Sequence, residues 1–491
     1  MMAGGSRRSA AVVVGLALLG LASCQRAPSD AGYLPFILVT AAPNASPTPT
    51  PFQPSASSPT PMQLGDLVTE TPSPTPSAAP LPSATADLGS LFPTAAAPPS
   101  SGLESQPSPL PPLGGEETVN FLLIGSDKRP GSSYRTDTLL IAIVWPAKGQ
   151  ASLISIPRDL WIYIPSVGMQ RINTAYQSGE LSGYPGGGPG LLREAIAYNL
   201  GIRIDHTALV EFDGFRRIID TLGGIEVPIS CPYTDWRLID PSYDPYNEDN
   251  WWLYSVGPGQ IHMDGDLALW YARSRSKSSD FDRGRRQQEV LRAILSKALK
   301  TDTIGKIPLL YSELSAAVVT DVSLADLLRL APYAARFSSP DVRSYYIRPP
   351  LVSAWMTPGG ASVQLPNEDA LSEMIRAATT YSEVSVYRKA VRVEVQNATF
   401  IESLEFLAAS RLNYAGYDAV PAPAGEQGST VTMLVDLTAE QDPAARQSLA
   451  HALGLPAAPH LAEPSAGGDI SYRVILGSDY EACFEPQDLS H

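Results

Sequence analysis

Asn120-Phe-Leu-Leu-Ile-Gly125 opens the folded part of this 491-residue chain, and the similar runs Thr138-Leu-Leu-Ile-Ala-Ile-Val144 and Ala151-Ser-Leu-Ile-Ser-Ile156 follow it. Short apolar runs of this kind are typical of strands buried inside a sheet. Turn-forming residues from Pro146 to Gly149 join the second run to the third. The three runs therefore predict strands of one buried sheet.

Helical patterns and one more strand come after these runs. Helices are predicted over 191–200, 214–222, 283 to about 299, and 309–337, and a strand over 225–229. Gly223-Gly224 marks the end of the second helix. Strands mixed with helices indicate an α/β fold, a layered αβα domain with a central mixed sheet, which we expect over residues 117–380.

A second series of predicted strands and helices begins near residue 391. Strands are predicted over 391–395, 431–435 and 472–476, and helices over 401–414 and 443–453. We therefore expect a second, small α/β domain over residues 388–482.

The N-terminus has the pattern of an export signal. Arg7 and Arg8 precede the apolar run from Ala10 to Ala22, which is shorter than the roughly 20 residues that a membrane-spanning helix needs. Small residues then lead to Cys24, so residues 1–24 are expected to be a signal peptide. The segment resembles a bacterial lipobox, in which cleavage leaves Cys24 as a lipidated first residue. The alternative is an ordinary signal peptide with a chance cysteine.

Residues 25–116 are dominated by proline, serine, threonine and alanine. Such a segment cannot bury enough surface to fold, and proline stiffens it toward an extended conformation. We expect a disordered linker, which acts either as a tether away from the membrane or as a spacer of no fixed length.

Charge and cysteine content exclude some functions. The net charge of −15 argues against general nucleic-acid binding, because phosphate backbones select basic surfaces. Besides Cys24, the chain has Cys231 and Cys483, which are too few for a disulfide framework or a zinc cluster. Since these two cysteines fall in different expected domains, the prediction is two free thiols.

Carboxylates and arginines follow the first strands. Asp127 follows the first strand, Arg135 and Asp137 precede the second, and Arg158-Asp159 follow the third. If the first two strands form a hairpin, these residues gather at one edge of the sheet. Paired carboxylates with arginines suit Mg²⁺ bound to a phosphate. The alternative is a surface cluster of salt bridges.

A second polar cluster lies between residues 271 and 289. Arg273 and Arg275 alternate, so both project to one side of an extended chain. Asp282 is the expected N-cap of the long helix.

Arg283 and Gln287 occupy the stripe of that helix that continues into apolar Val290 and Ile294. A charge on the core-facing side of a helix N-terminus is costly unless an anion compensates it, and helix N-termini favour phosphate. The alternative is a solvated basic face.

Together these motifs resemble the LytR-CpsA-Psr family. The resemblance covers about residues 120 to 299 and is carried by Gly-Ser-Asp127, Tyr-Arg135-Thr-Asp137-Thr, Ser-Ile-Pro-Arg158-Asp159, Arg171-Ile-Asn173-Thr-Ala-Tyr176, Gly223-Gly224-Ile-Glu-Val, Ala-Arg273-Ser-Arg275 and Asp280-Phe-Asp-Arg283-Gly-Arg-Arg286-Gln287-Gln288. The stretches Val393-Glu-Val-Gln-Asn-Ala398 and Ile475-Leu-Gly-Ser-Asp479-Tyr480 resemble the LytR C-terminal domain that often follows it.

The resemblance implies a transferase that takes a glycan from a polyprenyl-pyrophosphate carrier and leaves its sugar-phosphate on a hydroxyl, typically of peptidoglycan. It implies that Asp127 and Asp137 hold Mg²⁺. The pyrophosphate-binding residues that it implies are Arg135, Arg158, Arg273, Arg275 and Arg283, assisted by Gln287. Arg171 stands where the family has a lysine, and we count it with the pyrophosphate-binding residues.

The family's lipid tail enters an apolar tunnel beside the sheet. Candidate lining residues here are Leu192, Ile196, Phe212, Phe215, Ile218, Ile219 and Leu222. Family members usually have a transmembrane N-terminal helix, whereas this chain has the lipobox-like signal. The expected location is therefore the outer face of the cytoplasmic membrane, with a lipid anchor.

In the expected reaction, Asp137 or Asp159 takes the proton of the acceptor hydroxyl. Two alternatives remain open. One is a pyrophosphatase that releases lipid phosphate to water, and the other is a non-catalytic surface protein that binds wall polymers.

Overall fold

A computed structural model describes the chain over these ranges: 106–113, 115, 117–127, 135–275, 278–300, 318–323, 325–326, 329–330, 333, 337–423, 427–455, 459–463 and 469–483. At Asp127 and Arg135 the description is limited to the backbone. The expected signal peptide, Cys24 and most of the expected linker lie outside the described residues.

The strands are numbered in chain order. They are β1 Val119–Asp127, β2 Arg135–Trp145, β3 Gln150–Ile156, β4 Trp161–Ile164, β5 Gly168–Arg171, β6 His206–Glu211, β7 Ile225–Ile229, β8 Tyr233–Leu238, β9 Trp251–Val256, β10 Gly259–Met263, β11 Val318–Thr320, β12 Val342–Tyr346, β13 Val352–Met356, β14 Ser362–Pro366, β15 Arg392–Asn397, β16 Asp418–Pro421, β17 Met433–Asp436, β18 His460–Ala462 and β19 Tyr472–Leu476.

The helices are numbered in the same way. They are α1 Ala175–Ser182, α2 Gly187–Leu200, α3 Phe212–Thr221, α4 Gly265–Arg273, α5 Asp280–Lys300, α6 Glu368–Thr379, α7 Glu383–Ala390, α8 Leu404–Tyr414 and α9 Pro443–Ala452. None of these helices is both long and apolar enough to cross a bilayer.

Six strands form the central sheet in the order β11-β6-β1-β2-β3-β12. The pairs β1–β2, β2–β3 and β6–β11 are antiparallel. The pairs β1–β6 and β3–β12 are parallel. The predicted mixed sheet is therefore confirmed.

Helices cover both faces of this sheet. On one face, Leu192 and Ile196 of α2 pack in a core with Ile124 and Ile141. Alternate residues of β1 and β2 point to the opposite face, where Phe121 belongs to a second core against which Leu291 of α5 packs. The layered αβα architecture is confirmed.

The candidate tunnel residues are divided between these faces. Leu192 and Ile196 lie in the core on the α2 side, whereas Ile218 of α3 packs against the core on the other side. Ile219 lies in a further core formed with β7 and α4, and Phe215 packs against that core. The seven residues therefore do not line one common surface, because α2 and α3 lie on opposite sides of the sheet.

The expected helix over 309–337 is wrong in its middle part. Residues 318–320 form β11, which pairs antiparallel with β6 at the edge of the sheet. A short strand at an edge is fixed by pairing with its neighbour rather than by its own pattern, so local sequence does not identify it. Residues 309–317 lie outside the described residues.

The folded part begins earlier than the expected linker boundary. The backbone N–H of Leu110 donates to the carbonyl of Tyr198 at 2.9 Å, and that of Leu113 donates to the carbonyl of Gly201 at 2.7 Å. Residues near 110 thus run beside the C-terminal end of α2.

The second domain has a five-stranded sheet in the order β16-β15-β19-β17-β18. β19 pairs parallel with β15 and antiparallel with β17. Leu407 of α8 and Leu449 of α9 are buried, and Leu449 lies in one core with Val393 and Val474 of the sheet. The small C-terminal α/β domain is confirmed.

The two domains are joined covalently. Cys231, just after β7, forms a disulfide with Cys483, 252 residues later. α8 packs against β7 and β10, and the ring of Tyr414 lies 4.0 Å from the guanidinium of Arg292 on α5. The prediction of two free thiols was wrong because it treated the domains as separate, whereas the second packs on the first.

Replacing both Cys231 and Cys483 by serine is expected to lower the free energy of unfolding by about 2–4 kcal/mol, because the link limits the freedom of the unfolded chain. The measurement is urea unfolding with and without a reducing agent. The reductant should destabilise the natural chain and leave the double variant unchanged. Equal unfolding midpoints for the four samples would contradict a stabilising disulfide.

Candidate phosphate-binding site

A β-bulge presents Asp137. Gly125 pairs with Thr138 and Ser126 pairs with Thr136, so Asp137 is left as an extra residue between two paired neighbours. A bulge redirects the side chain at the interruption. A Cβ atom at Gly125 would lie 2.9 Å from the Cβ of Thr138, so glycine allows the strands to approach closely here.

The register also places Asp127 directly opposite Arg135. These are backbone positions, at the end of β1 and the start of β2. The expected hairpin therefore forms, and it brings both residues to the edge of the sheet at which Asp137 lies.

Arg158 is the centre of the cluster. Its Nη1 lies 2.9 Å from Asp137 Oδ1, and its Nε lies 3.3 Å from Asp159 Oδ2 and 3.2 Å from Asp280 Oδ2. Burial lowers the pKa of Arg158, but the surrounding carboxylates, Asp280 first, outweigh burial and raise the pKa. The guanidinium is therefore held firmly in its charged form.

The carboxylate of Asp280 forms ion pairs with three arginines. Besides Arg158, its carboxylate lies 3.4 Å from Arg283 Nη1 and 3.6 Å from Arg275 Nη1. Burial raises the pKa of Asp280, but the three arginines lower it further, so the net shift is downward. Sequence reasoning did not assign Asp280 a role, although its spacing of three residues before Arg283 on a helix was a usable signal.

Arg283 points inward, as its place on the apolar stripe predicts. It is 6% exposed, and its Nη2 donates to the backbone carbonyl of Asp137 at 3.2 Å. Burial lowers its pKa, although the charge of Asp280 acts in the opposite direction. Arg283 therefore has partners even without a ligand, because Asp280 and the backbone carbonyl of Asp137 accept from it.

The start of α5 differs from the expectation. The helix begins at Asp280, and the hydroxyl of Ser279 accepts from the N–H of Asp282 at 3.1 Å. Ser279 is therefore the capping residue. Asp282 instead pairs with Arg285 at 2.7 Å and with Arg286 at 3.1 Å.

Gln287 connects α5 to β2 and α4 through hydrogen bonds. Its Nε2 donates to Thr138 Oγ1 at 2.8 Å and to the carbonyl of Ala272 at 3.2 Å. The amide thus fixes the distance between α5, the bulged strand and the end of α4.

The other predicted arginines lie around this centre. Arg171 Nη1 is 3.4 Å from Asp159 Oδ1, and the Arg171 side chain is part-exposed. The guanidinium of Arg273, the last residue of α4, lies 4.2 Å from the ring centroid of Phe212. The Arg275 side chain is also part-exposed. Arg158, Arg275 and Arg283 share one carboxylate, Arg171 joins them through Asp159, and Arg273 stands beside Phe212.

Arg286 holds the segment that carries Arg273 and Arg275 in place through hydrogen bonds. It is fully buried and donates to the carbonyls of Tyr271 and Ser274 and, at 3.0 Å, to the hydroxyl of Ser278. Arg286 lies in one of the sequence motifs, but its role could not be predicted from the motif alone. The available signal was its spacing of four residues after Asp282 on the same helix, which allows the ion pair that forms.

Two buried oxygen atoms beside Thr136, the residue that precedes Asp137, are of the kind that suits the implied magnesium ion. Within the described part of the chain, the buried Ser126 Oγ and Asn173 Oδ1 have no hydrogen-bond partner, and both residues lie against Thr136, the neighbour of Asp137. Carboxylate, hydroxyl and amide oxygens are the hard ligands that Mg²⁺ takes in proteins. No group of three or more His, Cys, Asp or Glu that could hold a metal ion occurs among the described residues.

Comparison with known proteins identifies both domains. A model of the LytR-CpsA-Psr family matches residues 99–380, and a model described as LytR cell envelope-related transcriptional attenuator matches residues 390–480. The chain is similar to the polyisoprenyl-teichoic acid–peptidoglycan teichoic acid transferase TagU of Oceanobacillus iheyensis, with 32% identity over 44% of this chain and 62% of TagU. It is also similar to the probable cell wall biosynthesis protein LcpB of Corynebacterium glutamicum, with 33% identity over 38% of this chain and 43% of LcpB.

These alignments cover less than two thirds of either relative. Among solved structures, TagV of B. subtilis matches with a TM-score of 0.44 and 23% identity, over 55% of this chain and 99% of TagV. Because the LytR-CpsA-Psr model matches more than half of the sequence, this chain belongs to the LytR-CpsA-Psr family.

Proposed function

We propose that this protein transfers a glycopolymer, as a sugar-phosphate, from a polyprenyl-pyrophosphate carrier to a cell-wall acceptor, a hydroxyl of peptidoglycan. The observation that carries the proposal is the convergence of Arg158, Arg275 and Arg283 on Asp280 at the N-terminus of α5. Arginine forks and a helix N-terminus together form a strong site for phosphate.

The charge balance supports an anionic ligand. The ion pairs of the cluster join four arginines, Arg158, Arg171, Arg275 and Arg283, to three carboxylates, Asp137, Asp159 and Asp280. Positive charge is therefore in local excess, although the whole chain has a net charge of −15. A diphosphate would neutralise this excess.

In the proposed reaction the arginines bind the phosphate oxygens and stabilise the charge on the leaving polyprenyl phosphate, because phosphoryl transfer depends mainly on positioning and charge neutralisation. Asp127 and Asp137 would hold Mg²⁺, which when bound supplies further neutralisation of the diphosphate. Asp137 or Asp159 accepts the proton of the acceptor hydroxyl. Arg286 and Gln287 keep the arginine-bearing segments in place.

The names of the relatives support a role in cell-wall polymer transfer, but they do not specify the donor and the acceptor proposed here. TagU is named as a teichoic acid transferase and LcpB as a probable cell wall biosynthesis protein. The disulfide supports a location outside the cytoplasm, since disulfides persist in oxidising compartments. We propose that the protein works at the outer face of the cytoplasmic membrane.

The test of function is an assay of the purified protein with a lipid-linked glycan donor, Mg²⁺ and peptidoglycan fragments. We expect polyprenyl phosphate to be released in step with glycan-phosphate attachment to the fragments. Release that is independent of the acceptor would indicate a pyrophosphatase, and donor binding without release would indicate a non-catalytic binding protein.

The anchor gives a separate prediction. We propose that Cys24 carries the lipid, because the residues before it have the lipobox order. Two acyl chains give stable membrane attachment. Replacing Cys24 by alanine is expected to move the protein from the membrane fraction to the soluble fraction. A variant that stays with membranes after a high-salt wash would contradict the lipoprotein assignment.

A further inference from the structure

The ion pairs of the candidate phosphate-binding site form a chain with two ends. Arg275 pairs with Asp280, and Asp280 pairs with Arg158. Arg158 also pairs with Asp159, and Asp159 pairs in turn with Arg171. Arg171 and Arg275 therefore lie at opposite ends of one series of alternating charges, which we call the charged row.

The two ends of the charged row are more open to solvent than its middle. The side chains of Arg171 and Arg275 are each 40% exposed, whereas that of Arg158 is 20% exposed. An exposed guanidinium that shares its carboxylate with another arginine still has N–H groups to offer to an incoming anion. The charged row thus has two separate places at which an anionic group can bind.

These two ends belong to different parts of the fold. Arg275 follows α4, and its partner Asp280 is the first residue of α5 and also pairs with Arg283. Two arginines at a helix N-terminus suit the diphosphate. Arg171 instead ends β5, in the two-stranded ribbon of β4 and β5, and within the described ranges it pairs with no carboxylate other than Asp159. The diphosphate therefore has its arginines without Arg171.

Backbone hydrogen bonds hold Arg171 and Asp159 in place. The N–H of Asn173, two residues after Arg171, donates to the carbonyl of Arg158 at 3.2 Å. The N–H of Gln364 in β14 donates to the carbonyl of Asp159 at 2.9 Å. The guanidinium at this end is therefore carried by a fixed backbone, which a specific binding site requires.

From this arrangement we infer that Arg171 binds the acceptor rather than the diphosphate, and that it recognises a carboxylate that the acceptor carries. A transferase must hold two substrates at once, and the Arg171 end of the charged row is the one that the diphosphate leaves free. The inference rests on the proposed function, because it specifies how that reaction selects its acceptor.

The chemistry of the Arg171 end favours a carboxylate. The planar guanidinium can meet a carboxylate with two parallel hydrogen bonds. The charge of Asp159, whose Oδ1 lies 3.4 Å from Arg171 Nη1, repels a doubly charged phosphate more than a singly charged carboxylate. With the acceptor bound in this way, Asp159 lies between the acceptor and Arg158.

The test measures binding of a disaccharide-peptide fragment of peptidoglycan and, separately, of inorganic pyrophosphate to the full chain by titration calorimetry. Arg171→Met is expected to weaken fragment binding about tenfold and to leave pyrophosphate affinity within about twofold. Arg171→Lys should lose less fragment affinity than Arg171→Met, because it keeps the positive charge.

Arg275→Met is the matched variant at the other end of the charged row. The side chains of Arg275 and Arg171 have the same exposure, and Arg275 likewise pairs with one carboxylate, Asp280, at 3.6 Å. Its replacement should weaken pyrophosphate binding and leave fragment binding unchanged. Equal losses of fragment affinity in the two variants, or a loss confined to pyrophosphate in Arg171→Met, would overturn the inference.

A chemical change in the fragment tests the carboxylate itself. Amidation of the free carboxylates of the fragment should weaken its binding to the natural protein about tenfold, and it should have little further effect in Arg171→Met. An amidated fragment that binds the natural protein as well as the free acid does would overturn the carboxylate assignment.

Turnover of the lipid-linked donor separates this inference from the proposed function. Acceptor-dependent release of polyprenyl phosphate, with a raised KM for the fragment and a similar kcat in Arg171→Met, supports both. Acceptor-dependent release with a normal KM in that variant overturns the role of Arg171 and leaves the proposed function standing. Fragment binding through Arg171 without any transfer overturns the proposed function and leaves Arg171 as a binding residue for the carboxylate.

Discussion

Replacing Asp137 by asparagine is expected to reduce turnover of the lipid-linked donor by about 10³-fold, or ~4 kcal/mol. Asparagine has nearly the same shape, so the bulge should persist. The change removes the charge that contacts Arg158 at 2.9 Å and that would hold Mg²⁺. The measurement is the turnover rate at saturating donor across a titration of Mg²⁺, with thermal unfolding as the check on folding.

Asp159→Asn is the companion variant. Asp159 contacts the same arginine at 3.3 Å, and it also pairs with Arg171. If Asp159 accepts the acceptor proton, its variant should lose turnover while its dependence on Mg²⁺ remains normal. If Asp137→Asn retains full turnover, or the natural protein is fully active in excess chelator, the magnesium assignment is wrong.

Arg283→Met is expected to weaken donor binding by about 1.5–3 kcal/mol, the amount expected for one charge-assisted hydrogen bond. Stability should change little. Asp280 keeps Arg158 and Arg275 as partners, and the lost guanidinium was costly to bury. The measurements are donor affinity and the free energy of unfolding.

Arg285→Met is the matched control on the same helix. Arg285 pairs with Asp282 and Glu289 rather than with the cluster around Asp280. Its loss should leave donor affinity within about twofold, well under the 1.4 kcal/mol of a tenfold change. Equal and small losses of affinity in both variants would refute the phosphate site, and a large loss of stability alone in Arg283→Met would indicate a purely structural ion pair.

The sequence predicted best those elements whose burial is uniform. β3 is buried along its whole length, so its apolar run identified it to within a residue, and residues 472–476 match β19. The hairpin of β8 and β9 was not predicted. Its strands are partly exposed, and Thr234, Asp235 and Arg237 interrupt the apolar residues of β8.

Prediction of the candidate site from sequence was limited in the same way. Periodicity alone placed Arg283 on the inward face of a helix, because side-chain direction follows from spacing. The meeting of Arg158 with Asp280, 122 residues later, depends on how β3 and α5 pack. The disulfide was missed for a similar reason, since its cysteines become neighbours only when the second domain lies on the first.

The disulfide also closes a covalent ring. Every residue between Cys231 and Cys483 belongs to this ring, including β8, β9, α4, α5 and all the strands and helices of the second domain. A protease that cuts once within the ring, for example between the two domains, would produce two fragments that remain bonded to each other. Helix α5, which carries the proposed phosphate site, and the second domain would therefore stay together after such a cut, and only reduction or a second cut would allow them to separate.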